Sequence, residues 1–216
     1  MNARAANASG ELIVYVVDDD PDVRHALGML LGLRGYRIAS FESAESLLAA
    51  LPPDAAGCLV TDIRMPGLSG LQLQQALVQR CPALPVVVLT AHGTVASART
   101  ALRAQAVDFL TKPFAQDELV AAIELAFARS REQRSRMRIE SMDRTLVDGL
   151  TPRERQVAAL LASGALNVDI ARQLNISPRT VEIHKARCME KLQTRTLADL
   201  IRLVDRIGLS PVEDTP

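Results

Sequence analysis

Leu12-Ile13-Val14-Tyr15-Val16-Val17 is an unbroken, largely β-branched apolar run, the pattern of a strand buried on both faces. It stops at Asp18-Asp19-Asp20-Pro21, after which Val23, Ala26, Leu27, Leu30 and Leu31 recur at helical spacing until Gly35. The alternation repeats. Strands are predicted over Arg37–Phe41, Cys58–Asp62, Val86–Thr90 and Val107–Leu110, and helices over Ala44–Ala50, Leu71–Gln79 and Thr94–Ala104, with another after Pro113. Five strands alternating with helices require right-handed crossovers, hence a parallel sheet covered on both faces.

Ligands of such sheets sit beyond the carboxyl ends of the strands. Asp18 and Asp19 end the first strand, Asp62 the third and Thr90 the fourth, while Lys112 lies just past the fifth. Any one of these suits an ordinary strand-end turn. Five on one edge point to a site, because clustered acids repel unless a cation joins them. Three carboxylates, a lysine and a hydroxyl make an oxygen-rich place for a hard divalent ion, Mg²⁺ (or Mn²⁺) with a phosphoryl ligand. His92, alone before Gly93, reads as a turn residue, and His25 as helix surface.

The pattern changes after Phe127. Leu119, Ile123, Ala126 and Phe127 give an amphipathic helix, but Arg129–Arg144 carries six arginines and three acids with few apolar positions. No Pro or Gly interrupts the chain before Gly149, so this linker is either a helical continuation or a flexible spacer. Thr151-Pro152-Arg153-Glu154 then combines a capping box with proline at the first helical position. Val157, Leu160 and Leu161 belong to that helix, and Val168, Ile170, Ala171 and Leu174 to a short second one stopping at Asn175. Ser177-Pro178 starts a third, through Val181, Ile183, Ala186, Cys188, Met189 and Leu192; a fourth, Leu197–Ile207, ends at Gly208. Two short helices joined by a tight turn, the second basic, match helix-turn-helix geometry or a hairpin of another helical bundle.

Charge sharpens the division. The 216 residues balance at 25 Lys+Arg against 25 Asp+Glu, but residues 1–127 hold 9 against 13 and residues 128–216 hold 16 against 12. An acidic half suits a cation, and a basic half suits either nucleic acid or a solvated surface. No apolar run approaches the ~20 residues of a membrane helix, and Met1–Gly10 has no apolar segment of a secretory signal. Cys58, Cys81 and Cys188 are odd in number and widely spaced, which fits a reducing cytoplasm rather than disulfides or zinc. With two Tyr, four Phe and no Trp, a surface that stacks bases on aromatics is not expected.

Val-Val-Asp18-Asp19, Asp62-Ile-Arg64-Met-Pro66-Gly67, Thr90-Ala-His92-Gly93-Thr-Val and Phe109-Leu-Thr-Lys112-Pro113-Phe resemble the receiver domain of two-component response regulators. The resemblance implies a flavodoxin-like five-stranded parallel sheet of order 2-1-3-4-5 over residues 11–127. It implies that Asp62 accepts a phosphoryl group from a sensor histidine kinase. Mg²⁺ would be held by Asp18, Asp19, Asp62 and the backbone carbonyl of Arg64, with Lys112 on the phosphoryl oxygens and Thr90 and Phe109 as a switch pair. Many relatives carry Tyr where Phe109 stands, so a switch here works by shape alone.

Leu150-Thr-Pro-Arg-Glu154, Asn167-Val-Asp-Ile-Ala171, Ser177-Pro-Arg-Thr-Val181-Glu-Ile-His184 and Lys191-Leu192 resemble the LuxR-type DNA-binding domain. This implies an all-α four-helix domain over 145–210, joined through the linker 128–144, with its helix-turn-helix at about 167–192. The combination is most similar to FixJ-like response regulators. The helix from Pro178 would enter the major groove of promoter DNA. Glu182, Ile183, Ala186 and Arg187 are candidates for its base-facing side; Arg179, Thr180, Lys185 and Arg187 suit phosphates, while His184 follows the family pattern or fills the packing. The implied protein is a cytoplasmic transcription regulator, an activator in particular, with no membrane contact, a homodimer when phosphorylated and RNA polymerase as a further partner. Two other readings remain open on the residues: a Mg²⁺-dependent phosphotransferase or phosphatase, and a constitutive DNA binder with a degenerate receiver. No insertion after any strand builds a substrate wall, and the intact acidic set disfavours the second.

Overall fold

The computed structural model describes residues 12–91 and 94–209; the expectations at Met1–Gly10 and at His92 lie outside them. Elements alternate from the start: β1 (Ile13–Val17), α1 (Pro21–Leu33), β2 (Arg37–Phe41), α2 (Ala44–Ala50), β3 (Gly57–Asp62), α3 (Gly70–Arg80), β4 (Val86–Thr90), α4 (Val95–Arg103) and β5 (Asp108–Thr111). Helices alone follow: α5 (Gln116–Asp148), α6 (Pro152–Ala162), α7 (Asn167–Gln173), α8 (Pro178–Lys191) and α9 (Leu197–Ile207). Contacts divide the chain into two compact units, residues 1–134 and 135–216.

In the first unit the strands are parallel in the order β2-β1-β3-β4-β5. All residues of β1, β3 and β4 are buried, which is why their sequences are mostly apolar, with Thr61, Asp62 and Thr90 only at the carboxyl ends of β3 and β4, while the edge strand β2 is only partly covered. Alternate side chains serve two cores. Ile13, Tyr15, Val17, Leu59 and Val88 meet Leu47, Leu73, Leu77 and Ala101 on one face. Val14, Val16, Val60, Val87 and Leu89 meet Leu27, Leu31, Leu119, Ile123 and Phe127 on the other. Ala26, expected on the inner side of α1, is exposed; Leu27 and Leu31 carry that contact.

Helix starts follow the local chemistry. The Asp20, Ser43 and Ser69 side chains cap α1, α2 and α3 by accepting first-turn N–H bonds. Element ends fall within a residue or two of the expected ones for every strand. The stretch 128–144 is helical, as part of α5.

The second unit buries Val147, Leu150, Val157, Leu161, Ile170, Val181, Cys188, Leu192 and Leu200 in one core. Thr151 and Thr196 open α6 and α9 with capping boxes, Ser177 caps α8, and Pro152 and Pro178 stand in the first turns. Asn175 turns the chain between α7 and α8 at a left-handed φ of 51°. Gly208 closes α9 the same way, at 66°.

Candidate functional site

The parallel sheet sends the ends of β1, β3, β4 and β5 to one edge. Asp18 directly follows β1, Asp62 is the last residue of β3, Thr90 ends β4, and Lys112 directly follows β5, with a cis bond to Pro113 after it. Register places Asp62 opposite Leu89, and Thr90 one step further along, opposite Thr111. Lys112 reaches back into the acids: its Nζ lies 2.8 Å from Asp18 Oδ2 and 3.4 Å from Asp62 Oδ1. The Asp20 N–H donates to Asp18 Oδ1 at 3.0 Å and the Arg64 N–H to Asp62 Oδ2 at 2.7 Å. Both carboxylates are buried, Asp18 at 4% and Asp62 at 8% exposure.

One ammonium between two buried carboxylates leaves the site short of positive charge. Burial raises the Asp62 carboxyl above its ordinary range, and Asp18 adds to this, against the lowering by the Arg64 N–H and Lys112. Burial works to lower the Lys112 ammonium, yet its bonds to Asp18 and the charge of Asp62 carry it upward. Hard oxygen donors with surplus negative charge fit a small divalent cation. Among the described residues, however, no three His, Cys, Asp or Glu side chains form a ready metal nest. Asp18 and Asp62 meet around Lys112, whereas Asp19 is exposed. The expected ligand set is therefore brought together only in part.

Two further groups shape this edge. Arg24, on α1, donates from Nη1 to the carbonyls of Asp18 at 2.7 Å and Asp19 at 3.0 Å, clamping the turn between β1 and α1. Gly70 opens α3 against the main chain of Asp62: a Cβ there would stand 2.0 Å from the Asp62 carbonyl oxygen. Thr90 is buried, and Phe109 is half-buried against the core lined by α2, α3 and α4.

In the second unit, Val181 and Cys188 of α8 turn inward, as does Leu192 just past its end. Glu182, Ile183, Ala186 and Arg187 are exposed along its opposite side, as is Arg179, while Thr180, His184 and Lys185 are half-buried. The Thr180 hydroxyl is 2.7 Å from that of Ser177, within the cap. His184 Nδ1 is buried with no hydrogen-bond partner among the described residues. The Asn167 side-chain amide donates to Glu182 Oε1, and Lys185 Nζ lies 3.7 Å from the same oxygen. Lys191, the last residue of α8, pairs with Glu154 of α6 at 2.6 Å, and Glu154 also accepts the Thr151 N–H at 2.9 Å. Burial opposes ionisation of Glu154, but those bonds hold its carboxyl down at about 2.

Comparison with known proteins settles the family. The model of the response regulator receiver domain matches residues 14–124, and that of the bacterial regulatory proteins of the luxR family matches residues 148–204. The chain is a response regulator of the FixJ type. The transcriptional regulatory protein FixJ of Bradyrhizobium diazoefficiens is 40% identical over 196 residues, spanning 91% of this chain and 96% of its own. Nodulation protein W of the same organism is 38% identical over 203 residues, spanning 94% and 89%. The solved response regulator StyR is 39% identical with a TM-score of 0.76, covering 91% of this chain and 99% of its own. Like these relatives, this response regulator is a transcription regulator and not an enzyme. Its receiver calls for a kinase partner and its LuxR-type unit for DNA. No helix among its described residues is long and apolar enough to cross a membrane.

Sequence reasoning did not find the clamp of Arg24, the pairing of Glu154 with Lys191, or the bond from Asn167 to Glu182. Glu154 was legible as a capping residue only. Its lysine stands 37 positions away, and no spacing rule predicts that contact.

Proposed function

We propose that Asp62 is the phosphoacceptor and that its phosphorylation, by a sensor histidine kinase in the cytoplasm, controls promoter binding by α8. The observation that carries this reading is the Lys112 ammonium, held 2.8 Å from Asp18 and 3.4 Å from Asp62 at the carboxyl edge of the sheet. A carboxylate oxygen of Asp62 attacks phosphorus, the phosphorus–nitrogen bond to the kinase histidine breaks, and the imidazole leaves with its electron pair. Asp18, Asp19, Asp62 and the Arg64 carbonyl would hold Mg²⁺, which when bound neutralises the acids and the incoming phosphoryl oxygens. Lys112 then has a phosphoryl oxygen to pair with in place of Asp62 Oδ1. The Thr90 hydroxyl donates to another, drawing its loop inward, and the ring of Phe109 fills the space behind it.

The receiver, 11–127, and the output domain, 145–210, lie on either side of the arginine-rich stretch 128–144. The output domain carries one helix-turn-helix, which reads one half-site, so specific binding calls for a two-fold pair. We place the phosphorylation-dependent dimer contact on α4 and β5, residues 94–110, because Thr90 and Phe109 lie on the strands flanking α4. At the DNA, Glu182, Ile183, Ala186 and Arg187 face the bases, while Arg179, Thr180 and Lys185 approach phosphates. His184 is assigned to packing. The family resemblance favours activation, with RNA polymerase as the further partner.

Incubation of the full chain with acetyl phosphate and Mg²⁺ tests the core of this proposal. Wild type should gain one hydroxylamine-sensitive phosphoryl group and Asp62→Asn none; uptake by Asp62→Asn would overturn the assignment. Sedimentation of the same samples should show a dimer only for phosphorylated wild type, whereas Thr90→Ala should accept phosphate yet dimerise poorly.

A further inference from the structure

Asn167 opens α7, the first helix of the helix-turn-helix, three positions before Ile170 and four before Ala171, both buried. It therefore sits beside the anchored face of α7, next to α8. Its amide donates to Oε1 of Glu182, which stands in the first turns of α8, on the side proposed to face the bases. A carboxylate only accepts, so the amide must turn its nitrogen toward it, and the orientation is fixed by chemistry. Lys185 Nζ approaches the same Oε1 at 3.7 Å, from one turn further along α8. No hydrogen bond from the described residues falls on Oε2.

We infer that Asn167 is a positioning residue for base recognition: it pins Oε1 of Glu182 so that Oε2 presents one acceptor to an amino group on the major-groove edge of a base, cytosine N4 above all.

Three physical points support this. A glutamate on an exposed helix face samples several rotamers and loses that freedom on binding; a side chain already held loses less. A carboxylate near DNA is repelled by phosphates, and Asn167 with Lys185 keeps the charge on the base-facing side and partly balanced. Of the base edges in the major groove, only cytosine and adenine present an amino donor, so a fixed acceptor discriminates where a mobile charge does not. Asn167 itself needs to touch no base. Its effect passes through Glu182.

The inference rests on the reading that α8 lies in the groove with Glu182 toward the bases, and the experiment separates the two. The full-length protein, treated with acetyl phosphate and Mg²⁺, is used to select from randomised duplexes, for wild type, Asn167→Ala, Glu182→Ala and the double variant. Wild type should enrich an amino-bearing base at one position of each half-site, and Glu182→Ala should lose that preference. Asn167→Ala should flatten the same position by about tenfold while leaving the other positions intact. The double variant should match Glu182→Ala, because a positioning residue has nothing left to position.

If Glu182→Ala loses the preference and Asn167→Ala keeps it, the inference fails while the reading of Glu182 stands. If neither variant changes any base preference, the reading of Glu182 fails and takes the inference with it. A uniform loss of binding across all sequences in Asn167→Ala also overturns it, since that marks a purely structural residue. Circular dichroism confirms folding first; should Asn167→Ala not fold, Asn167→Ser, too short to reach Glu182, replaces it with the same outcomes.

Discussion

Asp62 and Glu154 are both buried acids within reach of a lysine, at 8% and 3% exposure, yet the structure treats them in opposite ways. Asp62 shares Lys112 with Asp18 and is driven upward by burial. Among the described residues Glu154 is the acid paired with Lys191, and with the Thr151 N–H as well it is held at about 2. Burial of a carboxylate is thus no mark of function on its own. What separates the two regions is how the lysine is shared: each carboxylate accepts one backbone N–H and meets one ammonium, but Lys112 serves Asp18 and Asp62 together, whereas Lys191 serves Glu154.

The largest test of that contrast removes one acid from each region. Asp62→Asn should lose all phosphoryl uptake yet be level in stability or gain on the order of 1 kcal/mol, because a neutral amide no longer repels Asp18. Glu154→Ala should do the reverse, costing about 2–3 kcal/mol in urea unfolding, since it strips Lys191 of its partner and α6 of its capping box. That figure sits below the range for fully buried pairs because the Lys191 side chain is 40% exposed. The difference in sign is the essence of the comparison. Destabilisation by both changes would break it.

Acid titration sharpens it further. Glu154 falls from an ordinary 4.5 to about 2 on folding, so it contributes stability that is whole above pH 4.5 and is lost as the pH drops toward 2. Asp62 has the other sign: its raised carboxyl is a cost at neutral pH that protonation relieves. The stability difference between wild type and Glu154→Gln should therefore shrink steadily between pH 4.5 and 2, while that between wild type and Asp62→Asn is fully developed at neutral pH. The smallest effect concerns two charges on α8, the half-buried Lys185 and the exposed Arg187. Lys185→Ala and Arg187→Ala should each shallow the salt dependence of DNA binding by about one unit of slope or weaken binding across sequences, without moving stability by more than ~0.5 kcal/mol.

Much of this was legible along the chain, for reasons that differ by element. β1, β3 and β4 announce themselves because parallel strands covered on both faces are built mainly from apolar residues, with polar ones gathered at their carboxyl ends. α6 and α8 declare their starts through Thr151-Pro152 and Ser177-Pro178, because an N-cap acts within four residues of itself. The edge that gathers Asp18, Asp62, Thr90 and Lys112 was legible too, since parallel order sends every strand's carboxyl end the same way.

Sequence alone therefore determined the two kinds of fold, the strand-end residues and the helix that turns Glu182 and Arg187 outward. Tertiary structure decided that Asp18 lies inside and its neighbour Asp19 outside, and that residues 128–144 continue α5 as helix. It also decided that Lys112 bridges acids from two strands, Lys191 closes on Glu154, and Asn167 holds Glu182. The physical reason is range. Periodicity and capping act over a few residues, but an ion pair such as Asp18 with Lys112 joins side chains 94 positions apart, and only the packed backbone sets that distance.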